Sequence, residues 1–263
     1  MQKDSPIITV IIAALNNAKF FEQCLQSITT QTYPQKELIV IDGGSTDETL
    51  SIIKSHKHRI TYWESEPDRG IYHAWNKALK HAHGDWMCFL GADDYLWNRQ
   101  VFTDLVPHLM KAEKSGIKIV YGQVARVNSQ GHILKLMGKP WEKIGWLMTH
   151  GMPLPHTGLM HHRSLFEIHG VFDETFQIAG DYEILLRELK KGKALFADGL
   201  ITTGWRSGGI SESRFLFAHR EIAQARRRHG FRGFSWVWLA VHCRGFVREY
   251  WRRLFQNKRP PGK

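Results

Sequence analysis

Three acids in this 263-residue chain stand where apolar runs end. Asp42 follows Leu38-Ile39-Val40-Ile41, and the pair Asp93-Asp94 follows Trp86-Met87-Cys88-Phe89-Leu90 and the turn Gly91-Ala92. Adjacent carboxylates suit a hard cation, Mg²⁺ or Mn²⁺, and Mg²⁺ commonly takes one or two protein carboxylates and completes its shell with substrate phosphates. The structural alternative for the pair is an Asp N-cap on a helix over 95–110. Arg69 follows Asp68 in a turn, where a guanidinium suits bidentate contact with phosphate, the plainer alternative being a solvent-exposed turn arginine. His161-His162 invite a metal reading, but neighbours on a strand face opposite ways, so the two are not expected to share an ion.

These positions acquire meaning from the elements around them. Residues 7–12, IITVII, form a β-branched run of the kind buried on both faces of a parallel sheet. Phe21, Cys24, Leu25 and Ile28 repeat at helical spacing within 20–30, and Pro34 bars the helix from running on. Strands are expected at 37–41, 60–63 and 86–90. Helices are expected from a Thr46 cap through Lys54 and over Ile71–His83, the latter ending at Gly84. Alternating strands and helices predict a doubly wound α/β sheet, whose ligand crevice lies beyond the carboxyl ends of the strands. Asp42, Asp93 and Asp94 fall there. No G-x-G-x-x-G follows the first strand and no Walker lysine loop is present, so dinucleotide and P-loop readings lose their support.

Apolar residues make up 43% of the chain, enough for a core, which excludes a disordered or fibrous protein. Cys24, Cys88 and Cys243 are too widely spaced for a disulfide framework or zinc knuckle, and a reducing compartment is expected. The first residues lack a basic stretch leading into a long apolar segment, so no signal peptide is expected. The net charge of +11 is uneven: residues 226–263 hold 11 of the 36 Lys and Arg but a single acid, Glu249. The uncharged stretch between Arg232 and Arg244 is too short to span a bilayer. Beyond it Val247, Tyr250, Trp251 and Leu254 form an apolar helical stripe beside the row Arg244, Arg248, Arg252, a pattern suited to an anionic membrane surface. Simple packing on the body is the plainer alternative. Nucleic acid is not expected as a partner, because the body holds no zinc finger or RNA-recognition motif.

Taken in order, five segments resemble the inverting family 2 glycosyltransferases of the GT-A fold: TVIIAALN at 9–16, QTYPQKELIVIDGGSTDET at 31–49, EPDRGIYHAWNKA at 66–78, GDWMCFLGADD at 84–94 and GVFDETFQIAGDYEILLR at 170–187. The resemblance covers about 7–215, and the D-R-G-I-Y and G-A-D-D signatures are similar to those of enzymes that build cell-surface polysaccharides. It implies a single GT-A domain at 6–220, with a Rossmann-like, doubly wound mixed sheet, followed by a basic amphipathic helical tail at 226–263.

The implied reaction moves a sugar from a nucleoside diphosphate, UDP first, to a glycan or lipid-linked acceptor. It would take place at the cytoplasmic face of a membrane and use Mg²⁺ or Mn²⁺. By position, Asp42, Asp68, Arg69 and Asp93 would bind nucleotide, Asp94 and Asp93 the metal, and Asp181 would be the general base. From the residues alone, Asp181 reads first as an acid at a helix start, and the resemblance reverses that order. His156 would line the acceptor or donor pocket. Trp205 and Arg206, with the turn at 208–211, would belong to a lid over the diphosphate. The chain departs from the family where an acid often stands two places before Asp93, here Gly91, and where His73 replaces a common acid. Two other classes remain open. A sugar nucleotidyltransferase would want a glycine-rich basic loop after the first strand, where this chain has AALNN, and a non-catalytic membrane-bound scaffold would not need the acids.

Overall fold

In the computed structural model the chain is described over residues 5–231. The β-branched run forms β1 (Ile8–Ala14), flanked by β2 (Lys36–Asp42) and β4 (Trp86–Gly91), both parallel to it, with β3 (Tyr62–Ser65) parallel to β2. Side-chain alternation sends successive residues to opposite faces. Ile8, Val10 and Ile12 of β1 pack with α1 (Ala18–Thr29) and α4 (Val101–Lys114), whereas Ile11 packs with α3 (Ile71–Leu79) and α7 (Gly180–Leu189). Both faces are therefore buried under helices, and the sheet is doubly wound. Continuous apolar strands follow from that double burial.

Beyond β4 the sheet becomes mixed. The strand β8 (Met160–His162) runs antiparallel to β4 and to β6 (Ile119–Val127). Where β8 ends, β7 (Ile133–Met137) takes up pairing with β6, while β9 (Leu195–Arg206) lies parallel to β6 on its other side. The short β5 (Tyr95–Leu96) pairs antiparallel with β9 and completes the order β3-β2-β1-β4-β8-β6-β9-β5. The remaining helices are α2 (Thr49–His56), α5 (Trp141–Ile144), α6 (Arg163–His169), α8 (Ile210–Ser213) and α9 (Phe215–Arg228).

Several sequence expectations shift. The second helix starts at Thr49 and not behind a Thr46 cap. The Thr46 N–H instead donates to Asn16 Oδ1 (2.9 Å), which ties this loop to the one after β1. Asn16 adopts φ +52°, a left-handed conformation that Asn tolerates. The third strand lies at 62–65 instead of 60–63, and α3 ends at Leu79, four residues before the expected stop. Asp93 and Asp94 cap no helix, because β5 intervenes and α4 begins only at Val101.

Helix α9 runs across position 220, with Arg226 buried and donating from Nε to the Thr149 carbonyl (2.8 Å). The apolar and arginine stripes at 244–254 lie outside the described residues. Among the described residues no helix is long and apolar enough to cross a membrane.

Candidate active site

The carboxyl ends of the parallel strands are level, since Ala14 pairs with Asp42, Asp42 with Ser65 and Ala13 with Gly91. At neighbour spacings of about 4.8 Å, the end of β2 stands about 10 Å from the end of β4 along this edge.

Asp42 is fully buried at the first of these points. Its Oδ2 accepts from the Ser45 N–H (3.0 Å) and Ser65 Oγ (2.6 Å), and Oδ1 accepts from Ser45 Oγ. These three hydrogen bonds hold the carboxyl group in one orientation. Asp68 lies beside it: a Cβ added at Gly43 would stand 3.4 Å from Asp68 Oδ2. Asp68 Oδ1 meets Lys77 Nζ and His73 Nδ1, each at 2.9 Å. His73, at the position of the family's acid, thus serves as a partner of Asp68. Arg69 points elsewhere. Its guanidinium pairs with Glu174 (2.7 Å) and is 71% exposed, and it lines a cavity of about 420 Å³ with His73, Asn76, Lys77, Phe166 and Glu174. None of the four acids Asp42, Asp93, Asp94 and Asp181 lines that cavity.

At the second point the chain turns sharply, with the Asp94 N–H donating to the Gly91 carbonyl (3.0 Å). Asp94 is 3% exposed; its Oδ2 accepts from Thr157 Oγ1 (2.9 Å) and its Oδ1 from the Arg206 N–H (2.9 Å). Burial, reinforced by the neighbouring Asp93, pushes its pKa up to about 8. Asp93 is half-buried, and its carboxylate has no hydrogen-bond partner among the described residues.

The missing acid at 91 has a steric reason. A Cβ there would lie 2.8 Å from Asp94 Oδ2 and 3.1 Å from Asp93 Oδ1, so glycine leaves a cradle onto which both carboxylates converge. Two acids this close disfavour joint ionisation unless a cation lies between them, and an all-oxygen donor set suits Mg²⁺ or Mn²⁺. The pair fits such an ion with one or two carboxylates. Among the described residues no group of three His, Cys, Asp or Glu could hold a metal without further ligands.

The third acid arrives from the far side of the sheet. Asp181 lies in the first turn of α7 with 23% of its side chain exposed. Its Oδ1 accepts from the Tyr182 N–H (2.7 Å) and lies 3.4 Å from Tyr72 Oη, whereas Oδ2 has no hydrogen bond among the described residues. The helix dipole alone would favour the charged form, yet loss of water around the carboxyl outweighs the dipole and the donated hydrogen bonds and pushes its pKa up to about 6. His156 Nδ1 stands 3.9 Å from Oδ2, beyond hydrogen-bond reach. The His156 ring stacks on Trp75, and burial holds its pKa down at about 3, so the imidazole is neutral.

Residues 156 and 157 join the two acid sites. His156 faces Asp181 while Thr157 binds Asp94, and consecutive Cα atoms are only 3.8 Å apart.

The structure places Arg206 beside the Asp93-Asp94 turn. It is the last residue of β9, 95% buried, and its guanidinium donates to the Asp93 carbonyl and Gln23 Oε1 while covering the Phe20 ring at 4.1 Å. These bonds tie the guanidinium to the Asp93-Asp94 turn, while its buried Nε has no partner among the described residues. Trp205 is also within the strand, with Arg126 at 5.7 Å from its ring. The turn that follows is anchored by Glu212, which accepts from the Gly208 N–H (3.0 Å) and pairs with Arg126 (2.8 Å).

The sequence reading missed Thr157, Tyr72 and Glu221. Thr157 and Tyr72 sit in segments already singled out, but Glu221 carried no local signal. It is a buried acid in an arginine-rich helix, and it accepts the N–H groups of Gln177, Ile178 and Ala179 at 2.8, 2.8 and 2.9 Å. The paired histidines of β8 do face apart: His161 packs on Phe89 and His162 on Trp86, on opposite sides of the sheet.

A mixed, doubly wound sheet with acids along one carboxyl edge defines a GT-A-like domain. The family model described as Glycosyl transferase family 2 matches residues 9–167, more than half of the chain, which belongs to that family and is a glycosyltransferase. Over 188 residues it is 29% identical to a PGL/p-HBAD biosynthesis glycosyltransferase of Mycobacterium tuberculosis, covering 70% of each chain. It is 28% identical over 200 residues to an uncharacterized glycosyltransferase of Rickettsia typhi, covering 73% of this chain and 61% of that one.

Among solved structures, the mannosyltransferase PcManGT of Pyrobaculum calidifontis, in complex with GDP-Man and Mn²⁺, superposes with a TM-score of 0.64 at 20% identity, covering 88% of this chain and 66% of that one. Residues 1–349 of S. aureus TarS in complex with UDP-GlcNAc superpose with a TM-score of 0.62 at 19% identity, covering 83% and 66%. The chain thus spans about two thirds of each of these structures. At such identities the likeness shows the fold.

Proposed function

We propose that this glycosyltransferase is an inverting, metal-dependent enzyme. It transfers a hexosyl or N-acetylhexosaminyl group from a nucleoside diphosphate, with UDP preferred, to a glycan or lipid-linked acceptor of the cell surface. One observation carries the reading. Asp42 and the Asp93-Asp94 pair stand along one strand edge, and the segment 156–157 links that pair to Asp181.

The roles follow from the environments. Asp42 and Asp68, held by hydroxyls and by Lys77, orient the nucleoside end. Asp93 and Asp94 would hold Mg²⁺ or Mn²⁺, which supplies charge neutralisation for the departing diphosphate. Asp181 Oδ2, left without a hydrogen bond, takes the proton from the acceptor hydroxyl as that oxygen attacks the anomeric carbon from the side opposite the leaving diphosphate, which inverts the centre. A base whose conjugate acid titrates near 6 is charged at neutral pH and still basic enough to accept that proton. Neutral His156 beside it adds no competing positive charge.

The printed ligands of the solved relatives, UDP-GlcNAc for TarS and GDP-Man with Mn²⁺ for PcManGT, support a nucleotide-sugar donor and a divalent ion. A curated relative is named for PGL/p-HBAD biosynthesis, which supports a biosynthetic transfer. The basic, aromatic-rich sequence at 226–263 supports a site at the inner face of the cell membrane, and flotation of the full chain with anionic but not neutral vesicles tests that part. Donor and metal are tested together by a hydrolysis screen over UDP-, GDP- and dTDP-sugars with and without Mn²⁺. Turnover of one donor only with the ion supports the reading. Absence of both binding and turnover across the panel would favour a non-catalytic scaffold.

A further inference from the structure

We propose that Glu221, on the last described helix, is the positioning residue that fixes the Asp181 turn for proton abstraction. The proposal rests on Asp181 being the base.

Helix α7 begins without a cap of its own, because Ala179 occupies the N-cap position and has no side chain to offer. The turn before it, 177–179, presents three N–H groups in succession, and Glu221 receives all three, Oε1 from Gln177 and Oε2 from Ile178 and Ala179. The carbonyl of the middle residue is held from the other side by Tyr72 Oη (2.6 Å). Gly180 permits this, since a Cβ there would overlap the Tyr72 ring at 2.8 Å. Asp181 is the next residue. Its own bonds are to Tyr72 and its neighbour's N–H, so its direction is inherited from a turn clamped by α9 on one side and α3 on the other.

Helix α9 is itself fastened beside this point. His229 donates from Nε2 to Glu183 on α7 (2.8 Å), and Arg228 pairs with Asp173. The titratable groups facing Asp181 are Tyr72 from α3, His156 from the segment before β8, Tyr182 from its own helix and Glu221 from α9. Of these, Glu221 is the one whose negative charge raises the Asp181 pKa.

A clamp of this kind has two separable outputs, direction and charge. Glu221→Gln keeps the shape, but its amide cannot accept three N–H bonds and carries no charge. It should lower kcat about 10- to 100-fold with little change in donor KM, and the acid limb of the pH–rate profile should move to lower pH. Glu221→Asp keeps the charge and shortens the reach, so kcat should fall while the limb stays in place. Nucleotide affinity, read by calorimetry, should match the parent in both.

Parent kcat and parent acid limb in the two variants would overturn the proposal. So would parallel losses of kcat and nucleotide affinity with an unmoved limb in Glu221→Gln, which would mark a merely structural residue. If Glu221→Gln does not fold, the Asp variant decides through its kcat and affinity. Asp181→Asn, run alongside, separates the two levels: retained turnover there removes the base assignment and this proposal together, whereas its loss with unaffected Glu221 variants removes this proposal alone.

Discussion

The acids at the two ends of the site are held in different ways. Asp42 is surrounded by its own neighbourhood: Ser45 is three residues away and Ser65 stands at the end of the adjacent strand, so a parallel sheet with level ends suffices to fix it. The surroundings of Asp181 come from residues 40 to 109 positions distant, Glu221 on α9 and Tyr72 on α3, and one of its oxygens has no hydrogen bond among the described residues. Both are carboxylates, yet the first is bonded on both oxygens by nearby serines, while the second is held on one oxygen and its pKa is pushed up to about 6 by burial. The surroundings, and not the residue type, set the two apart.

Asp181→Asn should produce the largest break. Turnover should fall about 10²- to 10⁴-fold with nucleotide affinity intact, and an equal loss of affinity would show that the two regions do not divide labour as described. In the parent enzyme the raised Asp181 pKa implies activity that declines as pH falls through about 6, because the proton acceptor is then filled. A kcat profile flat from pH 5 to 8 would remove that role. Gly91→Ala should come next. The added methyl meets Asp94 Oδ2 at 2.8 Å, and apparent Mn²⁺ affinity in donor hydrolysis should weaken about 10- to 100-fold. Unchanged metal response would show that the cradle is not the ion site.

Asp42→Asn should act more weakly and on the other parameter. Donor KM should rise about tenfold, in line with loss of charged hydrogen bonding, with kcat near the parent. A fall in kcat alone would erase the contrast with Asp181. The smallest effect is expected for Tyr72→Phe, which removes the Ile178 anchor. At a net of about 0.5–1.5 kcal/mol for one hydrogen bond, the melting temperature should drop by only a few degrees in calorimetry.

The comparison also marks how far the sequence could be read. The donor half was legible because its signals are local. Apolar strands betray burial on both faces, and acids at their ends announce the crevice. What that reading could not show was the company each side chain keeps. Arg206 is buried against the Asp93-Asp94 turn, and Arg69 pairs with Glu174. A charge in a one-dimensional string gives no sign of whether it will be desolvated or exposed.

The sequence by itself determined the alternation of strands and helices, the edge on which three acids stand, and the family, through five short motifs in a fixed order. Tertiary structure alone decided that residues 156 and 157 join Asp181 to Asp94, that Gly91 makes room for two carboxylates, and that Glu221 binds the turn before Asp181. The reason is one of range: periodicity and capping act over a few residues, whereas desolvation and hydrogen bonding depend on whatever the fold brings near, at any separation along the chain.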